Sequence, residues 1–138
     1  MSKDNIGFFA MAEQARATSD PSPASLLGKT LASVSMTDDK ERITLKTTDG
    51  ESYSMMHYQD CCETVQVEEV IGNLDDLVGS PITEAEEISS EGWPAPEHSE
   101  SHTWTFYKFG TAKGFVTIRW LGESNGYYSE SVAFVKDN

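Results

Sequence analysis

Cys61 and Cys62 stand side by side, His57 lies four residues before Cys61, and His98 and His102 are again four apart further along. Thiolate and imidazole are ligands for a soft tetrahedral cation, so these five side chains outline a zinc site or, with nearby acids, a metal-dependent enzyme. The spacing is not that of a finger or ribbon, because a Cys-Cys dipeptide does not easily present both sulfurs to one ion. In a cytoplasmic protein the pair is expected reduced, one side chain buried and one outward, since a ring closed between neighbours strains the peptide. Redox chemistry asks for a C-x-x-C spacing, which is absent. Asp60 and Glu63 with Asp75 and Asp76 suit a hard cation, yet 73–81 lacks the glycine and ligand pattern of an EF-hand; solvation and helix-end stabilisation are the plain alternative. Ser124, His57 and Asp60 could compose a nucleophile, base and orienting acid. No G-x-S-x-G, phosphate-cradling loop or H-E-x-x-H accompanies them, so catalysis is the weaker class and no catalytic residue is assigned.

Charge points elsewhere. Of 138 residues, 23 are acidic and ten basic, a formal net charge of −13. Between Thr47 and Tyr107 there are 14 acids and no Lys or Arg, whereas the rest of the chain comes to +1. Such a block repels phosphate, which argues against direct nucleic-acid binding and against anionic membranes. It attracts a basic protein surface, a divalent cation or a cationic ligand and speeds their encounter; keeping the protein soluble is the bland alternative. Asp75, Asp76, Glu84, Glu86 and Glu87 are the candidate contacts for a basic partner. Of the aromatics, Trp104 with Phe106, and Trp120 with Val116 and Ile118, alternate onto single strand faces and read as core. Tyr127 and Tyr128 follow an Asn-Gly turn and are candidate interface anchors. Arg119 is expected to pair with an acid across a sheet.

The elements that must position these residues are mostly strands. The first 24 residues read as an arm, in which Asp4 or Asn5 caps a short helix over 6–16 and the Pro-rich run 18–23 ends it. Its Phe8, Phe9 and Met11 dock on the domain or meet a partner. Asp4 and the early polar residues fit a secretory signal poorly, and no apolar run reaches the roughly 18–20 residues of a membrane span. From Leu26 onward, period-two segments alternate with turn signals: strands over 31–36, 42–47 and 51–58, then 103–109, 115–121 and 129–135, the later ones joined at Lys113-Gly114 and Asn125-Gly126. If Asp49-Gly50 makes a two-residue turn, Ile43 faces Met56, Leu45 faces Ser54 and Arg42 faces His57, turning His57 away from the Ile43 face. Asn73, two acids and Gly79 predict a short helix over 73–78. Segment 81–89 fits a Thr83–Glu86 capping box or a strand, with strand preferred, and 90–101 is a polar loop. The expected fold is α+β, mainly an antiparallel β-sheet with one short helix and a short N-terminal helical arm; the alternative is an all-β sandwich or barrel. Residues 25–138 form the single β-rich domain.

Four segments also carry a resemblance: His57 to Glu63 (H-Y-Q-D-C-C-E), Leu74 to Ile82, Thr103 to Tyr107, and Ile118 to Ser129 with its G-E-S-N-G-Y-Y-S run. Together they resemble a family of small uncharacterised proteins carried mainly by bacteriophages and prophages, over roughly 26–135. The resemblance implies a phage setting in the host cytoplasm and supplies no activity. With the charge, it leads to an expected acidic protein-binding module that inhibits a basic, nucleic-acid-binding host protein in counter-defence or host takeover, with no cofactor. The alternatives are a metal-binding domain or enzyme around the Cys-Cys segment, and a virion or assembly component that self-associates, its arm swapped between subunits.

Overall fold

The computed structural model describes residues 21–90 and 100–137. The predicted arm helix therefore lies outside the described residues. Eight strands follow a 3-10 turn at Pro23–Leu26: β1 (Leu31–Met36), β2 (Arg42–Thr47), β3 (Ser52–Met56), β4 (Thr64–Ile71), β5 (Glu84–Ser90), β6 (Ser101–Thr111), β7 (Gly114–Ser124) and β8 (Ala133–Lys136), with a second 3-10 turn, Leu74–Leu77, between β4 and β5. They form two four-stranded antiparallel sheets, ordered β1-β2-β3-β8 and β4-β7-β6-β5. The described residues contain no α-helix and no closed barrel, which corrects α+β to mainly β. No helix among them is long and apolar enough to cross a membrane.

One apolar core lies between the sheets. Leu31, Ile43, Leu45, Tyr53, Met55 and Phe134 come from the first sheet; Val65, Val67, Tyr107, Phe109, Val116, Ile118 and Trp120 come from the second. The rings of Tyr107 and Phe134 meet across the sheets at 6.4 Å. Trp104, Phe106 and Leu121 make a separate cluster. In β6 and β7 the two groups fall on alternate positions, as a pleated strand requires.

Three local expectations change. The β2–β3 register is one residue off, with Ile43 opposite Met55 and Arg42 opposite Met56. Thr47 N–H donates to the Glu51 carbonyl, enclosing three residues, and Gly50 takes φ 95°. A three-residue loop with a left-handed glycine suits this connection, and Thr47 Oγ1 fixes it by bonding Asp49 and the Glu51 N–H. Because a one-residue slip exchanges sheet faces, His57 falls on the parity of buried Tyr53 and Met55, and its side chain is only 5% exposed. The predicted helix over 73–78 is only a 3-10 turn. Asn73 does accept from Asp75 N–H, at 2.9 Å, but Val78 bridges to Leu31 and Gly79 N–H donates to the Leu31 carbonyl, so sheet contacts claim the next turn. Thr83 likewise bonds the Gly110 carbonyl through N–H and hydroxyl instead of capping a helix, and β5 follows as the strand reading expects.

β4 has no counterpart among the expected strands. Its Thr-Val-Gln-Val alternation is a strand signal, but the Glu68-Glu69 pair breaks the period. A bulge between Val67 and Glu69 absorbs the extra residue, so Val65, Val67 and Val70 all reach the core side.

Candidate functional site

The segment after β3 closes on itself through one carboxylate. Glu63, with a fully buried side chain, accepts from Asp60 N–H at 2.8 Å and Cys61 N–H at 3.0 Å, and its Oε2 lies 2.7 Å from His57 Nε2. The hydrogen bond to His57, helped by the two backbone amides, outweighs burial and holds the Glu63 carboxyl down at about 2. His57 Nδ1 lies 2.7 Å from the Ser131 carbonyl, so both ring nitrogens are engaged within the protein. His57 therefore clamps the loop between β3 and β4 to the segment before β8.

The thiols expected to be reduced are joined: Cys61 and Cys62 form a disulfide. The tight turn that brings Asp60 and Cys61 amides onto Glu63 also sets the sulfurs together. Of the five zinc candidates, His57, Cys61 and Cys62 share this loop, His102 sits on β6 opposite Glu123, and His98 lies outside the described residues. Among the described residues no three His, Cys, Asp or Glu side chains are grouped to hold a metal.

The second motif is built around close approach. A Cβ on Gly122 would collide with the Glu130 carbonyl, so this position lets the segment before β8 lie directly against β7. Burial works to raise the Glu130 carboxyl, but hydroxyls of Ser124, Ser101 and Thr103 outweigh it and hold it low. Ser124 also accepts from Gly126 N–H, and Asn125 Oδ1 from Tyr127 N–H, which sets the turn. The imagined triad is not assembled, since Ser124 is bonded to Glu130 and the carboxylate on His57 belongs to Glu63, not Asp60. The two motif segments meet at an open cleft of about 400 Å³ lined by Cys62, Glu100, Glu123, Ser124, Asn125 and Tyr128. Tyr127 projects beyond it, 82% exposed, edge-on to Tyr128 at 5.0 Å. The pairing of His57 with Glu63 has no sequence signature, because five residues of irregular backbone separate them.

The five acids expected to meet a partner fall at two neighbouring places. Asp75 and Asp76 occupy the second 3-10 turn, which touches β6 and β7 near their connection, where Thr111 Oγ1 donates to the Asp76 carbonyl. Glu84, Glu86 and Glu87 lie on β5, an edge strand whose first residue pairs with Gly110 at the same end of the sheet. Glu84 contacts Lys108 at 3.4 Å. Asp75, Asp76, Glu86 and Glu87 make no ion pair among the described residues. Burial pushes the Glu87 carboxyl up; its neighbour across the strand pair is Tyr107, whose phenol burial drives upward and whose Oη has no hydrogen bond of ordinary geometry.

Sequence reasoning missed the surface beside those acids. The outer face of the second sheet carries Ile71, Ile88 and Phe115, each about half exposed, and a hollow of about 320 Å³ lined by Ile71, Ile88 and Phe106 with Glu86, Lys108 and Arg119. Arg119, on this face, pairs with Glu69 at 3.1 Å as expected and stacks on Trp104 at 5.1 Å.

Residues 24–134 match the model of a family described as a domain of unknown function, DUF7448. The chain belongs to this family. The matched stretch runs from the first 3-10 turn into β8, so it takes in both sheets, the His57–Glu63 clamp and the acidic edge. Neither a curated protein nor a solved structure matches the chain.

Proposed function

We propose that this member of the DUF7448 family is an acidic protein-binding module that engages a basic surface of another protein. The observation that carries the reading is the exposed β5 edge and the second 3-10 turn, near the same end of the sheet, where Asp75, Asp76, Glu86 and Glu87 make no ion pair among the described residues. Unneutralised carboxylates at an edge raise the on-rate for a cationic surface and discriminate against anionic ones. Ile88 and the apolar hollow behind it supply area that charge alone does not, as an interface core requires.

The resemblance to phage and prophage proteins gives the reading its setting. The module covers the nucleic-acid-binding face of a basic host protein, in counter-defence or takeover. No step of this activity calls for a cofactor. Affinity purification of the tagged chain from infected cells, at low and at moderate salt, tests it. The expected result is a basic nucleic-acid-binding protein retained at low salt and released by moderate salt; recovery of nothing basic at low salt would end the reading.

A further inference from the structure

Two sheets have four edges, and three of them are blunted. β1 is bulged between Leu31 and Ser33, and its start is covered by Val78 and by the Gly79 N–H on the Leu31 carbonyl at 3.0 Å. β4 is bulged between Val67 and Glu69, and Val67 N–H donates to the Lys40 carbonyl in the β1–β2 connection at 2.8 Å. β8 has four residues. Bulges, covers and shortness are the usual means of keeping an edge from pairing with another chain.

β5 has no bulge and is not short, and the protection it carries is charge, in Glu84, Glu86 and Glu87. It pairs with β6 through seven consecutive residues, Glu84 with Gly110 to Ser90 with Trp104, without a shift. The first 3-10 turn abuts it, yet Glu86, Glu87, Ile88 and Ser89 are exposed. Among the described residues, no backbone group from Glu84 to Ser89 other than those facing β6 has a hydrogen-bond partner. In an antiparallel pair every second residue turns its N–H and C=O away from the neighbour. Among the described residues, the free side of β5 is therefore a row of unmet donors and acceptors, flanked by Glu86 and Glu87, which make no ion pair, and by Ile88 at 55% exposure.

We infer that β5 is a docking edge, to which an extended basic segment of a partner protein adds as a fifth strand of the second sheet. This rests on the protein-binding reading and names its mode. Main-chain hydrogen bonds hold the added strand, cations on it answer Glu86 and Glu87, and an apolar residue beside Ile88 prolongs the apolar strip toward Phe106. A second copy of the chain is the poorer occupant: two-fold pairing of β5 with itself, in registers centred on Glu86 and Glu87, sets acid directly against acid.

The test uses the full chain, isotope-labelled, and three capped peptides matching the seven residues of β5: a Lys-Val peptide with two adjacent Lys placed to face Glu86 and Glu87 and Val elsewhere, the same peptide N-methylated at alternate amides so that one edge cannot donate, and the same sequence with Glu in place of both Lys. Binding is read by titration and by amide hydrogen exchange. Slowed exchange at alternate residues of Glu84–Ser90 is expected with the Lys-Val peptide, together with affinity at least about tenfold above both other peptides. Equal binding of the N-methylated peptide, or protection elsewhere in the chain, would overturn strand addition while leaving the basic-partner reading intact. Slow exchange along β5 in the free chain would mean that its own residues or a second copy fill the edge, and would also overturn it. No binding of the Lys-Val peptide, with no basic protein recovered from infected cells, would remove both.

Discussion

Gly122 is where the two sequence motifs are pressed together, and Gly122→Ala tests that arrangement quantitatively. The added Cβ meets backbone, the Glu130 carbonyl, and also the Glu130 Cβ at 2.8 Å, so no side-chain rotation relieves it. Forcing a methyl group into a packed contact costs about 1–3 kcal/mol. Moving the segment at Glu130 also loosens the bonds from Thr103 and Ser124 to its carboxylate and from His57 to the Ser131 carbonyl, at about 1 kcal/mol for each one lost. Against this, alanine restricts the unfolded chain and returns about 0.4–1 kcal/mol. The balance, with one bond lost, is a net destabilisation of about 1–3.5 kcal/mol. For the 111 residues of the matched domain, unfolding entropy makes about 4 °C per kcal/mol, so Tm should fall by about 4–14 °C. Thermal unfolding followed by circular dichroism measures this, with the denaturant m-value checking that cooperativity is kept. A variant melting within about 2 °C of the parent would mean that the Gly122–Glu130 contact does not hold the two segments together.

Three further outcomes follow from the same geometry. The Glu63 carboxyl is held at about 2 in the folded chain, below its ordinary value of 4.5, so its contribution to stability is complete above pH 4.5 and lost as pH falls toward 2; in Glu63→Gln the urea midpoint should be lower at pH 7 and vary less over that acid range, and parallel profiles would exclude the clamp. Intact mass of unreduced protein should be two hydrogens below that of the reduced form, with Cys61 and Cys62 alkylated only after a thiol reductant; ready alkylation without one would show free thiols. Ile118, fully buried between the sheets, should cost about 2–5 kcal/mol when changed to Ala, and a loss below about 1 kcal/mol in denaturant unfolding would contradict its place in the core.

Strands whose apolar residues alternate without interruption are legible in the sequence. Leu31–Met36 and Arg42–Thr47 have the expected bounds, and β6 and β7 are the expected strands extended at both ends, since Ser101, Gly114 and Ser124 carry no apolar signal of their own. Legibility fails where a single residue changes the parity. The extra loop residue at Thr48-Asp49-Gly50 turned His57 inward, and the bulge at Glu68 hid β4. The helix expected after Asn73 had a correct cap, but Val78 and Gly79 bond Leu31, a residue far away in sequence. Of the candidate site, charge placement could be counted directly, and the exposure of Tyr127 follows from its turn. The His57–Glu63 pair, the disulfide in place of thiols, and the apolar hollow beside β5 depend on tertiary packing that no local pattern encodes.

The proposed function is that acids without ion pairs on β5 and on the second 3-10 turn bind a basic protein. Its most direct test is a side-by-side capture from infected cells by the parent chain and by a variant carrying Asp75→Asn, Asp76→Asn, Glu86→Gln and Glu87→Gln, at low and moderate salt, with the eluates identified by mass spectrometry. The account predicts a basic protein bound by the parent at low salt, released by moderate salt, and missing from the variant. The same protein retained equally by both chains, or no basic protein with either, would contradict it.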